Sequence, residues 1–166
     1  MKKIIVSFFV ALGLISCSND QKTEFTAEAL ADKMLAVDGT ELTFSEIVKK
    51  YEGKTVVIDV WASWCPDCIK GMPKVEALQK QFPQAVYLFL SYDKTTESWS
   101  KGIEKYAVKG EHYLILSPWK DGSFKKSIDL DWIPRYIVLD KAGKIALYRA
   151  IEADDEKLII TIKNLN

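Results

Sequence analysis

Histidine occurs once and cysteine three times in this chain of 166 residues. A structural zinc site draws on about four nitrogen, sulfur or oxygen ligands, and a disulfide scaffold on several paired cysteines, so most metal cages and all multi-cysteine scaffolds are excluded. Neither sign of charge is in excess: 23 Lys+Arg stand against 23 Asp+Glu. That balance argues against nucleic acid as a partner, because such proteins carry a basic surplus on one face. The longest uncharged apolar run, residues 4–15, holds twelve residues, short of the roughly 20 that a bilayer-spanning helix needs. Proline and glycine are few and scattered, with no repeat, so no second domain boundary is marked. What remains, at 48% hydrophobic and 28% charged residues, is one globular domain with room for a tail.

The chain opens on Met1-Lys2-Lys3, continues through the apolar run and closes it with Leu14-Ile15-Ser16-Cys17 before the polar Ser18-Asn19-Asp20. Positive start and short apolar run suit a secretory leader. The arrangement resembles a bacterial lipoprotein signal. It implies a signal peptide over 1–16, cleavage behind Ser16, a lipid on Cys17, a polar tether over 17–24 and a folded domain over 25–166. A plain signal peptide with an incidental cysteine is the alternative. The domain is then expected in the cell envelope, facing the periplasm and anchored to a membrane, where disulfides persist. The non-acidic Ser18 points, by the same resemblance, to the outer membrane.

Beyond the leader, strand and helix patterns alternate. Residues 27–35 are alanine-rich and helix-permissive, then broken by Asp38-Gly39. Thr43 and Glu46 form a capping-box pattern opening a short helix to about Tyr51, with Gly53 as its stop. Residues 55–61, TVVIDVW, read as a strand buried on both faces. A helix is expected over 66–81, with Ile69, Met72, Val75, Leu78 and Phe82 at helical spacing. A second buried strand over 85–90 completes a βαβ unit, which makes the two strands parallel. A helix over 96–108, a strand over 112–116, an antiparallel hairpin over 135–139 and 144–148, and a closing helix from Asp154 complete the expected order. In that last helix Leu158, Ile159, Ile162 and Leu165 share a face. The sum is an α/β fold, a mixed sheet with helices on both faces.

The chemistry lies where the first buried strand meets its helix, in Trp61-Ala62-Ser63-Trp64-Cys65-Pro66-Asp67-Cys68. Cys65 falls at the N-cap and Pro66 at the first helical position, where the missing N–H is harmless. Free N–H groups and the positive end of the helix dipole favour a thiolate at Cys65. Residues three apart share a helix face, close enough for a disulfide after small adjustment. Cys65 is expected to be the exposed nucleophile and Cys68 the resolving thiol. Haem attachment would want histidine at Ile69, and an inert structural disulfide is the blander use of so tight a loop. A peroxidase would want threonine at Ala62. Asp59, six residues before Cys65, falls in the middle of the buried strand. Desolvation there raises a carboxyl pKa toward the range in which it exchanges protons with a thiol. The structural alternative is an acid pinning a loop or Lys54. Pro134, in Trp132-Ile133-Pro134-Arg135, precedes a strand, where an X-Pro bond can be cis.

Asp59, the Trp61-Ala62-x-Trp64-Cys65-x-x-Cys68 run, Pro73 and the Ile133-Pro134 pair ahead of the hairpin together resemble thioredoxin-fold proteins, and within them the membrane-tethered TlpA/ResA-type thiol–disulfide oxidoreductases. The similarity spans about residues 37–165. It implies a cis Ile133–Pro134 bond facing the cysteines, the Ile133 backbone pairing with the substrate chain, a helix kink at Pro73, and Trp64, Pro66 and Asp67 at the substrate-facing rim. It also implies an inserted element between about Leu90 and Tyr113. The activity so implied is dithiol exchange with protein disulfides, those of cytochrome c maturation or of envelope proteins. No cofactor or metal is needed, and a membrane electron donor re-reduces the pair. A redox-inert binding module that uses the proline groove is the rival reading, and a disulfide-forming oxidant the other.

Asp67 disfavours a thiolate by like-charge repulsion, which makes the dithiol less oxidising and points to a reductant. Trp99, Trp119, Trp132, Tyr106 and Tyr113 read as core or rim packing rather than a partner groove. His112 reads as a surface or hydrogen-bonded residue, and Lys120, Lys125 and Lys126 as a solvated face.

Overall fold

The computed structural model describes residues 21–166; the expected signal peptide, Ser18 and the lipid-bearing Cys17 lie outside them. Seven strands form one sheet in the order β2-β1-β5-β4-β3-β6-β7. Its centre is β3 (Val56–Trp61), whose six residues are all buried. β-branched side chains suit a pleated surface, and a strand without a solvent face requires a layer on each side of the sheet. β3 runs parallel to β4 (Val86–Ser91) and antiparallel to β6 (Arg135–Leu139). β5 (Glu111–Ile115) extends the parallel part, and β7 (Ile145–Ala150) pairs antiparallel with β6.

Helices α3 (Pro66–Gln81) and α4 (Thr96–Lys105) carry the two parallel crossovers. Closing helix α6 (Glu156–Leu165) buries Leu158 and Ile162, with Asp155 accepting from the N–H groups of Lys157 and Leu158 as its cap. On α3, Cys68, Gly71, Val75 and Leu78 are buried, a spacing of three and four that turns one stripe to the sheet. The helix runs through Pro73, which offers no N–H to the preceding turn. Helix α2 (Phe44–Lys50) starts with the expected reciprocal capping box between Thr43 and Glu46.

The alanine-rich stretch resolves differently from its local propensity. Helix α1 (Ala27–Ala31) is a short turn and a half, after which Lys33–Ala36 forms β1 and Glu41–Thr43 forms β2. Asp38 Oδ1 accepts the Thr40 N–H at 2.9 Å and Gly39 takes φ +86°, so the pair expected to break a helix turns a hairpin instead. Pairing of β1 with β5 outweighs the helix preference of Met34 and Leu35, since Met34 is fully buried there. Two further differences are small. α4 stops at Lys105, ahead of Ala107 in the left-handed region at φ +50°, and a five-residue helix, α5 (Ser123–Ser127), stands where no element was expected, with Lys120 and Lys126 exposed and Lys125 half-buried. Its Phe124 is fully buried against Phe25 and Phe44.

Residues 21–24, expected as tether, lie along β7. Thr23 O accepts the Ile145 N–H at 2.8 Å, Gln21 Nε2 donates to Ala146 O at 2.8 Å and Lys144 pairs with Glu24 at 3.1 Å. Of the two expected readings of His112, surface or hydrogen-bonded, the structure shows the second: it is buried, its ring stacked on Phe89 at 5.1 Å and its Nε2 3.0 Å from Val108 O.

Candidate active site

Parallel strands carry their C-terminal ends to one edge of the sheet, and β3 ends at Trp61 under the start of α3. Cys65 is the N-cap of α3, with Pro66 at its first helical position. The Cys68 N–H donates to Cys65 Sγ at 3.1 Å, so one orphan donor of the helix start is aimed at the sulfur. A thiolate there accepts that bond and sits at the positive end of the helix dipole. Cys65 and Cys68 are joined as a disulfide, with Cα atoms 5.3 Å apart.

The Ile133–Pro134 peptide bond is cis, as the resemblance implied, and Ile133 O stands 3.5 Å from Cys65 Sγ. The loop before β6 therefore faces the cysteines. Pro66 and Asp67 are exposed, and Trp64 and Trp132 keep 55% and 63% of their surface in solvent. The exposed nucleophile expected at Cys65 is corrected here: Cys65 retains only 4% of its surface in solvent, against 1% for Cys68. Packing of the N-cap against the Ile133 loop hides most of it. Both cysteines are buried, Cys65 slightly less than Cys68.

Asp59 is buried on β3, opposite Tyr136 of β6 in the register, so the two side chains project from the same face. A Cβ added to Gly71 would come 3.4 Å from the Tyr136 hydroxyl. Gly71 is one turn past Cys68 on α3, so that face of β3 is the one α3 covers. Burial pushes the Asp59 carboxyl up to about 8, against a smaller lowering by the Tyr136 hydroxyl. Its Oδ1 has no hydrogen-bond partner among the described residues. The alternative of an acid tied to Lys54 has no bond to support it, since Asp59 pairs with no lysine among the described residues. Asp67 is exposed and stands 3.8 Å from Lys70, whose charge offsets part of its repulsion on the thiols.

The Redoxin family model matches residues 18–166. The chain belongs to the redoxin family. Among curated proteins this redoxin is 24% identical to the thiol–disulfide oxidoreductase ResA of Bacillus thuringiensis over 159 residues, 87% of each chain. It is 31% identical to an uncharacterised Haemophilus influenzae protein over 114 residues, 63% of this chain and 65% of the other, just under two thirds of that relative's length. Among solved structures, a putative thiol–disulfide oxidoreductase from Bacteroides vulgatus superposes with a TM-score of 0.69 at 25% identity, covering 84% of this chain and 89% of that one. The thioredoxin-like fold is thereby shown.

Two supports of the redoxin site carry no motif. Asp93, just past the end of β4, accepts from the Ser63 N–H at 3.0 Å, the Ser63 hydroxyl at 2.6 Å and the Ser91 hydroxyl at 2.8 Å. It pins the loop that leads into Cys65. Arg135, fully buried beside Pro134, donates to Ile128 O at 3.1 Å and to Asp131 at 2.5 Å, and Asp131 also pairs with Arg149 at 2.8 Å. Those bonds brace both ends of the segment bearing Ile133. The position of Asp93 at a strand's C-terminal end was the available signal; that of Arg135 was its place next to Pro134.

Proposed function

We propose that this redoxin is a thiol–disulfide oxidoreductase that exchanges the Cys65–Cys68 pair with protein disulfides, working as a reductant. The reading is carried by one observation: a joined cysteine pair at a helix N-cap with a backbone carbonyl 3.5 Å from Cys65 Sγ. In the reduced protein, Cys65 attacks as thiolate and one client sulfur leaves as a thiolate that takes a proton. Asp59 as carboxylate, directly or through a water, accepts the Cys68 proton. Cys68 then attacks Cys65 Sγ and the second client sulfur leaves. Two electrons pass from the dithiol to the client, which ends as two thiols. An extracytoplasmic dithiol donor at the membrane returns the pair to its reduced state.

Supporting the substrate side, Trp64, Pro66 and Asp67 border the pair, and the Ile133 carbonyl at the bend before β6 stands 3.5 Å from Cys65 Sγ, where a client chain joined to that sulfur would meet it. Supporting the direction, Asp67 opposes a thiolate at its neighbours. Envelope location and a lipid on Cys17 rest on the leader's sequence pattern. A Cys68→Ser variant is expected to accumulate mixed disulfides through Cys65 in cells, released by dithiothreitol and absent from Cys65→Ser. A variant that traps nothing would leave the redox-inert binding module as the reading.

A further inference from the structure

Four side chains stand in one row across the sheet. Asp59 of β3 is flanked in the register by Phe89 of β4 and Tyr136 of β6, and Phe89 in turn by His112 of β5. Directly opposite residues of an antiparallel pair share a face with Cβ atoms about 4.5–5.5 Å apart, so Asp59 and Tyr136 are side-chain neighbours. Helix α3 lies over them. Its backbone at Gly71, one turn past Cys68, passes so near Tyr136 that an added Cβ would stand 3.4 Å from the hydroxyl. Both side chains are shut away from water, Asp59 at 3% and Tyr136 at 1% exposure. A carboxyl in so dry a place takes its proton affinity from the few polar groups that reach it.

Each neighbouring element can be asked what it offers. β4 offers Phe89, which carries no proton. His112 of β5 lies beyond it, stacked on the Phe89 ring at 5.1 Å and engaged through Nε2 with Val108 O at 3.0 Å. From α3 come Cys68 and Lys74, and the lysine is taken by Glu152 and Asp154 at 2.6 and 3.0 Å. β6 offers Tyr136, whose hydroxyl acts on the Asp59 carboxyl as a hydrogen-bond donor. Asp59 Oδ1 has no partner among the described residues, so the carboxyl keeps an oxygen open. Burial, the Asp59 carboxyl beside it and the charges of Glu152 and Asp154 all keep the phenol protonated. A tyrosine that does not ionise is a permanent donor.

We propose that Tyr136 is the positioning residue of the resolving step: its hydroxyl holds Asp59 under α3 as the carboxylate that takes the Cys68 proton. The inference rests on the disulfide-exchange reading above and adds the group that readies the acid. As the Cys68 proton passes to Asp59, the Cys68 sulfur bonds to Cys65 Sγ. The bond from Cys65 to the client breaks, and the client sulfur leaves with its electron pair. Tyr136 gains and loses no proton. Its O–H favours the charged form of Asp59, which burial alone would suppress near neutral pH. Phenylalanine would fill the same space without that effect.

The test isolates the resolving step. The reduced full-length chain, with Cys17→Ser so that only the pair reacts, is mixed with one equivalent of 5,5′-dithiobis(2-nitrobenzoate). The first thionitrobenzoate leaves as Cys65 is capped and the second as Cys68 resolves the mixed disulfide. The rate of the second release is followed across neutral and mildly alkaline pH. Tyr136→Phe is expected to move the midpoint of that profile up by about one pH unit and to slow the release about tenfold below it. Carbon-13 NMR of the Asp59 carboxyl in the oxidised chain should show the same upward shift. In an Asp59→Asn chain, Tyr136→Phe should change the second release by less than about twofold, because no carboxylate is left to hold. Tyr136→Leu makes the same measurements if Tyr136→Phe does not fold. The role is overturned, with exchange left standing, if the midpoint or the carboxyl titration stays put. Slowing that is uniform across pH, or as large in the Asp59→Asn chain, overturns it too. A wild type that gives no second release would instead strike down the exchange reading, and the positioning role with it.

Discussion

Ser63 gives both its backbone N–H and its hydroxyl to Asp93, at 3.0 and 2.6 Å. The bond pair ties the loop entering the cysteine motif to the end of β4, and α4 closes over the same point. A Cβ on Gly102 of α4 would come 2.5 Å from the Ser63 Cβ and 3.5 Å from the Trp61 ring, so only glycine lets the helix sit that close.

Loss of that tie should be visible in stability. Asp93→Ala leaves the Ser63 and Ser91 donors without their acceptor in a buried setting, which costs about 2–3 kcal/mol. Urea denaturation should show a lower midpoint with an unchanged slope, and Asp93→Asn, which keeps one acceptor oxygen, should lose less. An Asp93→Ala protein as stable as the wild type would remove this role.

Asp59 makes stability pH-dependent with a definite sign. Its carboxyl titrates near 8 in the folded chain, against an ordinary 3.8. Between those values the folded state holds a proton that the unfolded state has lost. The contribution is full below about pH 4 and is lost as pH rises through about 8. Asp59→Asn should therefore raise the melting temperature most above pH 8 and least near pH 4. It should also slow the resolving step near neutral pH; unchanged turnover with client disulfides would end the proton-acceptor role.

Redox poise answers to Asp67. Replacing it by histidine removes a negative charge beside the helix N-cap and adds a donor, which stabilises the thiolate and makes the pair more oxidising. Equilibration of Asp67→His with glutathione should give a higher reduction potential than the wild type. The shift should be modest, because Lys70 already stands 3.8 Å from the carboxylate in an exposed setting. A shift toward reducing would refute the argument.

The proposed lipid on Cys17 has its own readout. Detergent phase partitioning should send the wild type to the detergent phase and Cys17→Ser to the aqueous phase. Equal partitioning of the two would show that Cys17 carries no anchor.

Much of the site was legible because its physics is local. A cysteine at an N-cap followed by proline, a second cysteine one turn on, and an acid inside a β-branched run are each readable within eight or nine residues. The hairpin around Asp140 was equally local, with Asp140 Oδ1 accepting from the N–H groups of Ala142 and Lys144 at 2.9 Å. Where a neighbour remote in sequence decides, reading failed. Met34 is a strand residue because β5 offers it a partner, and Phe124 makes a buried helix from a lysine-flanked stretch because Phe25 and Phe44 meet it.

By itself the sequence determined the cysteine pair, its place at a helix start and the sheet that holds it, since apolar periodicity and capping chemistry act between neighbours. Only the tertiary structure decided how far Cys65 is hidden, that Ile133 O faces its sulfur, and that Asp93 braces the loop leading into Cys65. Those facts depend on distances between segments 30 to 70 residues apart, and such distances come into being only when the sheet closes and desolvates what lies between.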